Sequence, residues 1–126
     1  MTNNIAPSDF AGFSRDIGYG IAVDTSGNAY ATGYTASSTP TPWMSGGWRT
    51  TFGGSIDGYV VKLNPAGTHL WSQAFGTLGT NQGNAIAVDG TGNVVVTGLF
   101  AGADFGTGPL TSVGGYADVF LFKRAP

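Results

Sequence analysis

The sequence predicts an all-β fold built from two copies of one four-stranded unit, and three observations predict it. The first is a stretch written twice. Gly18-Tyr-Gly-Ile-Ala-Val-Asp-Thr-Ser-Gly-Asn-Ala-Tyr-Ala-Thr-Gly33 returns as Gly83-Asn-Ala-Ile-Ala-Val-Asp-Gly-Thr-Gly-Asn-Val-Val-Val-Thr-Gly98, so that Ile21 and Ile86 lie 65 residues apart. A period of this kind marks a modular array and outranks local signals. The second is composition: 22 of 126 residues are glycine, 41% are hydrophobic, 13% aromatic and only 10% charged. Enough apolar surface is present to offset chain entropy, and abundant glycine suits many tight turns between short strands. The third is that all seven acidic residues are Asp, a turn former rather than a helix former.

Along the chain, residues 1–17 are polar, with Ile5, Phe10 and Phe13 the large apolar positions. A β pattern begins at Gly20, where Ile21 and Val23 share one face of a short strand. Asp24-Thr-Ser-Gly27 reads as a type I turn with Asp at its first position and Gly where positive φ is needed. The returning strand runs from Asn28 to about Thr35, and its counterpart, Val94-Val95-Val96, is apolar on both faces, as in a strand sandwiched between sheets. Residues 36–56 are a Ser-, Thr-, Pro- and Gly-rich connection carrying Trp43, Met44 and Trp48. A third strand follows at Tyr59–Leu63, then the turn Asn64-Pro-Ala-Gly67, then a fourth strand at His69–Phe75. The third strand recurs as well, since Asp57-Gly-Tyr-Val-Val-Lys62 matches Asp118-Val-Phe-Leu-Phe-Lys123. Residues 16–76 thus form one unit and residues 81–124 a second that lacks its own fourth strand. Residues 3–15 occupy the register of such a strand, with Phe10 opposite Phe75 and Ile5 opposite Leu70. Pro7 restricts that segment to an edge.

These residues resemble the SBBP family of bacterial β-propeller repeats. The resemblance rests on Ile21-Ala-Val-Asp24, Gly27-Asn28, Tyr30, Thr32-Gly33, Asp57-Gly-Tyr-Val-Val-Lys62-Leu63-Asn64, Gly67, Trp71 and Phe75-Gly76. In the second copy it rests on Ile86-Ala-Val-Asp89, Gly92-Asn93, Thr97-Gly98, Asp104-Phe-Gly106 and Asp118–Lys123. It implies a β-propeller segment of two four-stranded blades, a bacterial secreted or cell-surface setting, and no common active site. The sequence itself leaves the compartment open: residues 1–8 have neither the basic nor the apolar part of a signal peptide.

A propeller closes with ~4–8 blades, and two blades alone are expected to expose broad apolar faces, including Val94, Val96, Tyr59 and Phe120. Either the chain is excised from a longer array or copies of it assemble into a ring, and homo-oligomerisation is the favoured expectation. A homotrimer with six blades is the favoured partner arrangement and a homotetramer with eight comes next, with first and last strands of neighbours sharing a blade.

The chemistry-bearing residues favour construction over catalysis, and the chain is expected not to be an enzyme. Net charge is −2, with five scattered basic residues, which gives no footprint for nucleic acid or an anionic membrane surface. No cysteine is present, so no disulfide or Cys-ligated metal arises. Asp24, Gly27 and Asn28, with Asp89, Gly92 and Asn93, could be read as calcium loops. The spacing lacks the further oxygens such a loop needs, and an Asp accepting bonds from turn amides explains them better. His69 reads as an exposed strand residue beside a turn. Asp57 and Lys62, like Asp118 and Lys123, are five apart and so fall on opposite faces of a strand. No cofactor or metal is expected. The stretch Pro40–Arg49 is unlike its partner copy, and Trp43, Trp48, Arg49 and Tyr34 are the candidate binding residues, suited to stacking on a sugar ring; Phe100–Phe105 could contribute from the neighbouring blade. The competing reading puts Trp48 in the cleft between blades. Two alternatives stand beside a carbohydrate-binding scaffold. One is a structural module, an engineered or excised propeller fragment without ligand. The other is a hydrolase or lyase using Asp9, Asp16 and Asp104 at the channel mouth.

Overall fold

The computed structural model describes residues 15–36, 56–77, 79–104, 109–111, 113 and 117–126. The first unit is a four-stranded antiparallel meander in the order β1 (Asp16–Val23), β2 (Ala29–Thr35), β3 (Asp57–Leu63) and β4 (His69–Phe75). The second pairs β5 (Gln82–Val88), β6 (Val94–Phe100) and β9 (Asp118–Arg124). Between β6 and β9 a short hairpin forms from β7 (Gly102–Asp104) and β8 (Pro109–Thr111). Among the described residues β9, the counterpart of β3, has no strand on its outer edge. Of the expected completing strand at residues 3–15, all but Arg15 lies outside the described residues, and Arg15 stands just before β1.

The first strands start earlier than the apolar pattern suggests, at Asp16 and at Gln82. Each carries a register shift at the same place in the repeat, between Gly18 and Gly20 and between Gly83 and Ala85. A bulge turns the strand and pushes one carbonyl toward its neighbour. The repeated Thr-Gly pair answers that bulge. A Cβ on Gly33 would overlap the Ile17 carbonyl, and one on Gly98 would overlap the Gln82 carbonyl. The adjacent hydroxyls tie the next strand, with Thr32 Oγ1 donating to the Tyr59 carbonyl and Thr97 Oγ1 to the Phe120 carbonyl, both at 2.7 Å.

The two sheets meet face to face. Tyr30, Val60, Trp71 and Phe75 of the first pack with Val94, Val96, Phe100 and Phe120 of the second, and Ile86, Val88 and Phe122 close the margin. Phe75 is the hinge pin of this junction, its ring edge-on to Phe120 at 5.1 Å and to Phe122 at 5.7 Å. It lies over Gly58, where any Cβ would strike it. Edge-to-face pairs of this kind add about 0.5–1.5 kcal/mol beyond area burial. At the other end the Arg124 guanidinium covers the Trp71 ring at 3.6 Å.

One expectation is corrected here. Val94, Val96, Tyr59 and Phe120 are all buried rather than open. Period-two alternation groups them with their faces but does not say which face meets the other unit. Val94, Val96 and Phe120 line the junction, while Tyr59 packs with Val61 and Ala74 at the centre of the first sheet's outward side. Among the described residues the open large apolar ones are instead Tyr19, Ile21, Val23, Leu70, Val113, Val119 and Leu121.

Candidate functional site

Two regions of the molecule carry functional candidates: the turn ends of the blades, and the outward faces of the sheets.

At the turn ends, Gly27 and Gly92 have φ of 83° and 86°, the left-handed conformation that favours glycine. Each donates its N–H to the carbonyl of the Asp three residues before it, at 3.0 Å. Asp24 Oδ1 accepts from the Ser26 and Asn28 amides, both at 2.9 Å, and Oδ2 accepts from Asn28 Nδ2 at 2.8 Å and the Tyr30 hydroxyl at 3.0 Å. A carboxylate offers about four acceptor positions, and all are used within this one hairpin. The Asn28 side chain, foremost among these donors, holds the Asp24 carboxyl near a pKa of about 2 against an ordinary 3.8. Because the folded value is the lower one, the resulting stability is complete above 3.8 and is lost as pH falls toward 2.

Asp89 repeats this with one exchange. Its Oδ1 accepts from the Thr91 and Asn93 amides and from the Thr91 hydroxyl, and its Oδ2 accepts from Asn93 Nδ2. Val95 stands where Tyr30 stands in the first copy, so no phenol reaches the carboxylate. The Lys123 ammonium takes that place at 3.1 Å. In the first copy the matching Lys62 lies over the Tyr30 ring, 5.1 Å from its centroid. These donors, the Asn93 side chain first, hold Asp89 well below the usual carboxylate range. A polar cleft of about 240 Å³ separates the two hairpin ends, lined by Ser26, Tyr30, Lys62 and Thr91 among others.

The remaining sequence-predicted residues are distributed as follows. Tyr34 is 9% exposed, near the end of β2, with its ring 6.0 Å from that of Tyr19. Trp43, Trp48 and Arg49 lie outside the described residues, as do Phe105 and Asp9. Phe100 belongs to the junction core. His69, expected to be exposed, is half-buried and shares a 2.9 Å hydrogen bond with the Ser72 hydroxyl, and burial lowers its pKa. Asp57 is buried, whereas Asp118 accepts from the Val113 amide at 2.7 Å. Asp16 opens the first sheet and Asp104 closes β7 in the other unit, so the hydrolytic candidates are not gathered on one element. Among the described residues no three His, Cys, Asp or Glu side chains cluster as a metal site would require. No helix among them is long and apolar enough to cross a membrane.

The outward faces are apolar. On the first sheet Ile21 is 74% and Val23 62% exposed; on the second Leu121 is 74% and Val119 72% exposed. Beside Leu121 the second face forms a shallow depression bounded by Ala85, Ala87, Val95 and Thr97. Sequence reasoning missed these residues as the open ones, although the copy-to-copy match of Ile21 with Ile86 was available to find them.

Two antiparallel sheets packed through one face each, with the opposite faces apolar, define an all-β, blade-like repeat architecture. Residues 11–38 match the family SBBP, Beta-propeller repeat, so the chain carries a repeat of that type. No curated protein matches the chain.

Proposed function

We propose that the chain is a non-enzymatic interaction scaffold whose two blades are completed into a closed propeller by other copies of the same chain. The observation that carries this reading is the apolar outward face on each sheet, with Ile21 and Val23 on one and Val119 and Leu121 on the other. Contiguous apolar surface of this kind marks an interaction site, and repeats stack because a single unit cannot bury its faces alone. The repeat family supports a structural or binding role. Three copies and six blades are the favoured ring, four copies and eight blades the next. Light scattering on the purified chain tests it. The expected mass is three times the 12.8 kDa of one chain; a mass of one chain at high concentration refutes the reading.

Within such a scaffold the segment that differs between copies, carrying Trp43, Trp48 and Arg49, is where we place a carbohydrate ligand. Flat aromatic rings stack on sugar faces, and several copies in one ring would add avidity. Binding on a glycan array that disappears in Trp43→Ala is the expected result. A flat array for the wild-type chain refutes the glycan assignment and leaves the scaffold intact.

A further inference from the structure

We infer that copies of this chain join head to tail, the β1 side of one copy seating on the β5–β6–β9 face of the next, and that this contact repeats the part of the internal junction in which β5 seats on β1 and β2. The inference rests on the self-association proposed above and says which surfaces meet. The internal junction has two close features. The Ile86 side chain sits against Gly20 and Thr32 of the first blade, for a Cβ on Gly20 would lie 3.3 Å from Ile86 Cγ2 and from Thr32 Cγ2. Gly83 comes so near the first blade that a Cβ there would overlap the Thr32 side chain.

All of the residues of these two features except Gly20 are written again on the outward surfaces, 65 residues away. The knob Ile86 has its copy in Ile21, which is exposed. The close-approach glycine, Gly83, has its copy in Gly18, which is also exposed and where a Cβ would meet only the Tyr59 hydroxyl, at 3.6 Å. Thr32 has its copy in Thr97, and Ala22 in Ala87; Gly20, Tyr30 and Val60 become Ala85, Val95 and Leu121. Those five second-copy residues bound the shallow depression on the second sheet's open face. The knob and its hole therefore exist twice, once joined within the chain and once facing solvent at opposite sides of it.

A partner unrelated to the repeat would not call for the same Ile, Gly and Thr at the same spacing, which is why the occupant is a second copy. Tyr59 and Val61, the counterparts of Phe120 and Phe122, are already covered, so the contact runs along β1. Of the three substitutions in the hole, the one at Gly20 alters the contact made by the knob. Ala85 puts a methyl where Gly20 has none, and the copied contact must open by a few tenths of an ångström.

A head-to-tail contact uses two different surfaces, and a closed ring uses each once per copy. Ile21→Asp disables one surface and Leu121→Asp the other. Both positions are exposed, so either change leaves the fold of the single chain in place. Each variant alone is expected at the mass of one chain by light scattering, with an unchanged circular dichroism spectrum. An equimolar mixture is expected at the mass of two chains, because each contributes its one intact surface. If each variant alone forms a dimer, like faces pair with like and the head-to-tail assignment is overturned while self-association stands. If the wild type assembles but the mixture stays at one chain, the assignment is overturned in the same way. A wild-type chain that is monomeric overturns both, and the open faces then belong to neighbouring repeats of a longer array.

Discussion

Gln73 is fully buried on β4, on the face of the first sheet that meets the second, and neither its side-chain amide nitrogen nor its oxygen has a hydrogen-bond partner among the described residues. Its partner directly opposite across the strand pair is the apolar Val60. A buried amide left unpaired costs about 1–3 kcal/mol relative to one that is satisfied or absent. Methionine has nearly the same length and no polar hydrogen to satisfy. Gln73→Met is therefore expected to raise the unfolding free energy by about 1–2 kcal/mol in chemical denaturation; an equal or lower denaturation midpoint would show that the amide is paired in solution. The contrast is Asp24, also polar and also at a blade position, where four bonds within its own hairpin satisfy the carboxylate. One residue is satisfied locally and can be understood from its turn; the other depends on what the opposite sheet offers.

The same division holds for whole elements. The Asp-x-x-Gly-Asn hairpin was legible in the sequence because the backbone hydrogen bonds of its turn close within five residues, and the two copies form it with the same Asp, Gly and Asn. The four strands of the first unit were legible because their apolar runs are bounded by turn residues, and β4 falls on the predicted His69–Phe75. The start of β1 was not, since Asp16–Gly20 contains a bulge that breaks the alternation on which strand reading depends. The Thr-Gly pair was visible as a repeat, yet its reason was hidden. It requires knowing that the Ile17 or Gln82 carbonyl is pushed toward the glycine from the partner strand. Which apolar residues stay open was misread for a related cause. Alternation puts Val60 and Val61 on opposite faces without saying which face receives the second sheet, and the junction supplies that choice through Phe75 and Trp71. Of the candidate binding residues, Tyr34 is tied down by its burial at the end of β2.

At the scale of the molecule, folding and assembly become one equilibrium if the open faces are covered by other copies. Ile21, Val23, Val119 and Leu121 are then solvated in the unfolded chain and in the single folded chain, but not in the ring. Anything that binds the folded state alone raises its stability by mass action, and here the ligand is the protein itself. For a three-copy ring each tenfold rise in concentration adds roughly 0.9 kcal/mol per chain, which for a chain of this size shifts the thermal midpoint by about 3 °C. The wild-type midpoint, followed by differential scanning calorimetry over two decades of concentration, is expected to climb by about twice that. Leu121→Asp removes one of the two surfaces without touching the junction core, so its midpoint is expected to stay flat over the same range and to meet the wild-type curve at the dilute end. A wild-type midpoint that ignores concentration would mean that the two-blade chain is stable with its outward faces bare, and that Phe75, Phe120 and their neighbours suffice to hold the fold.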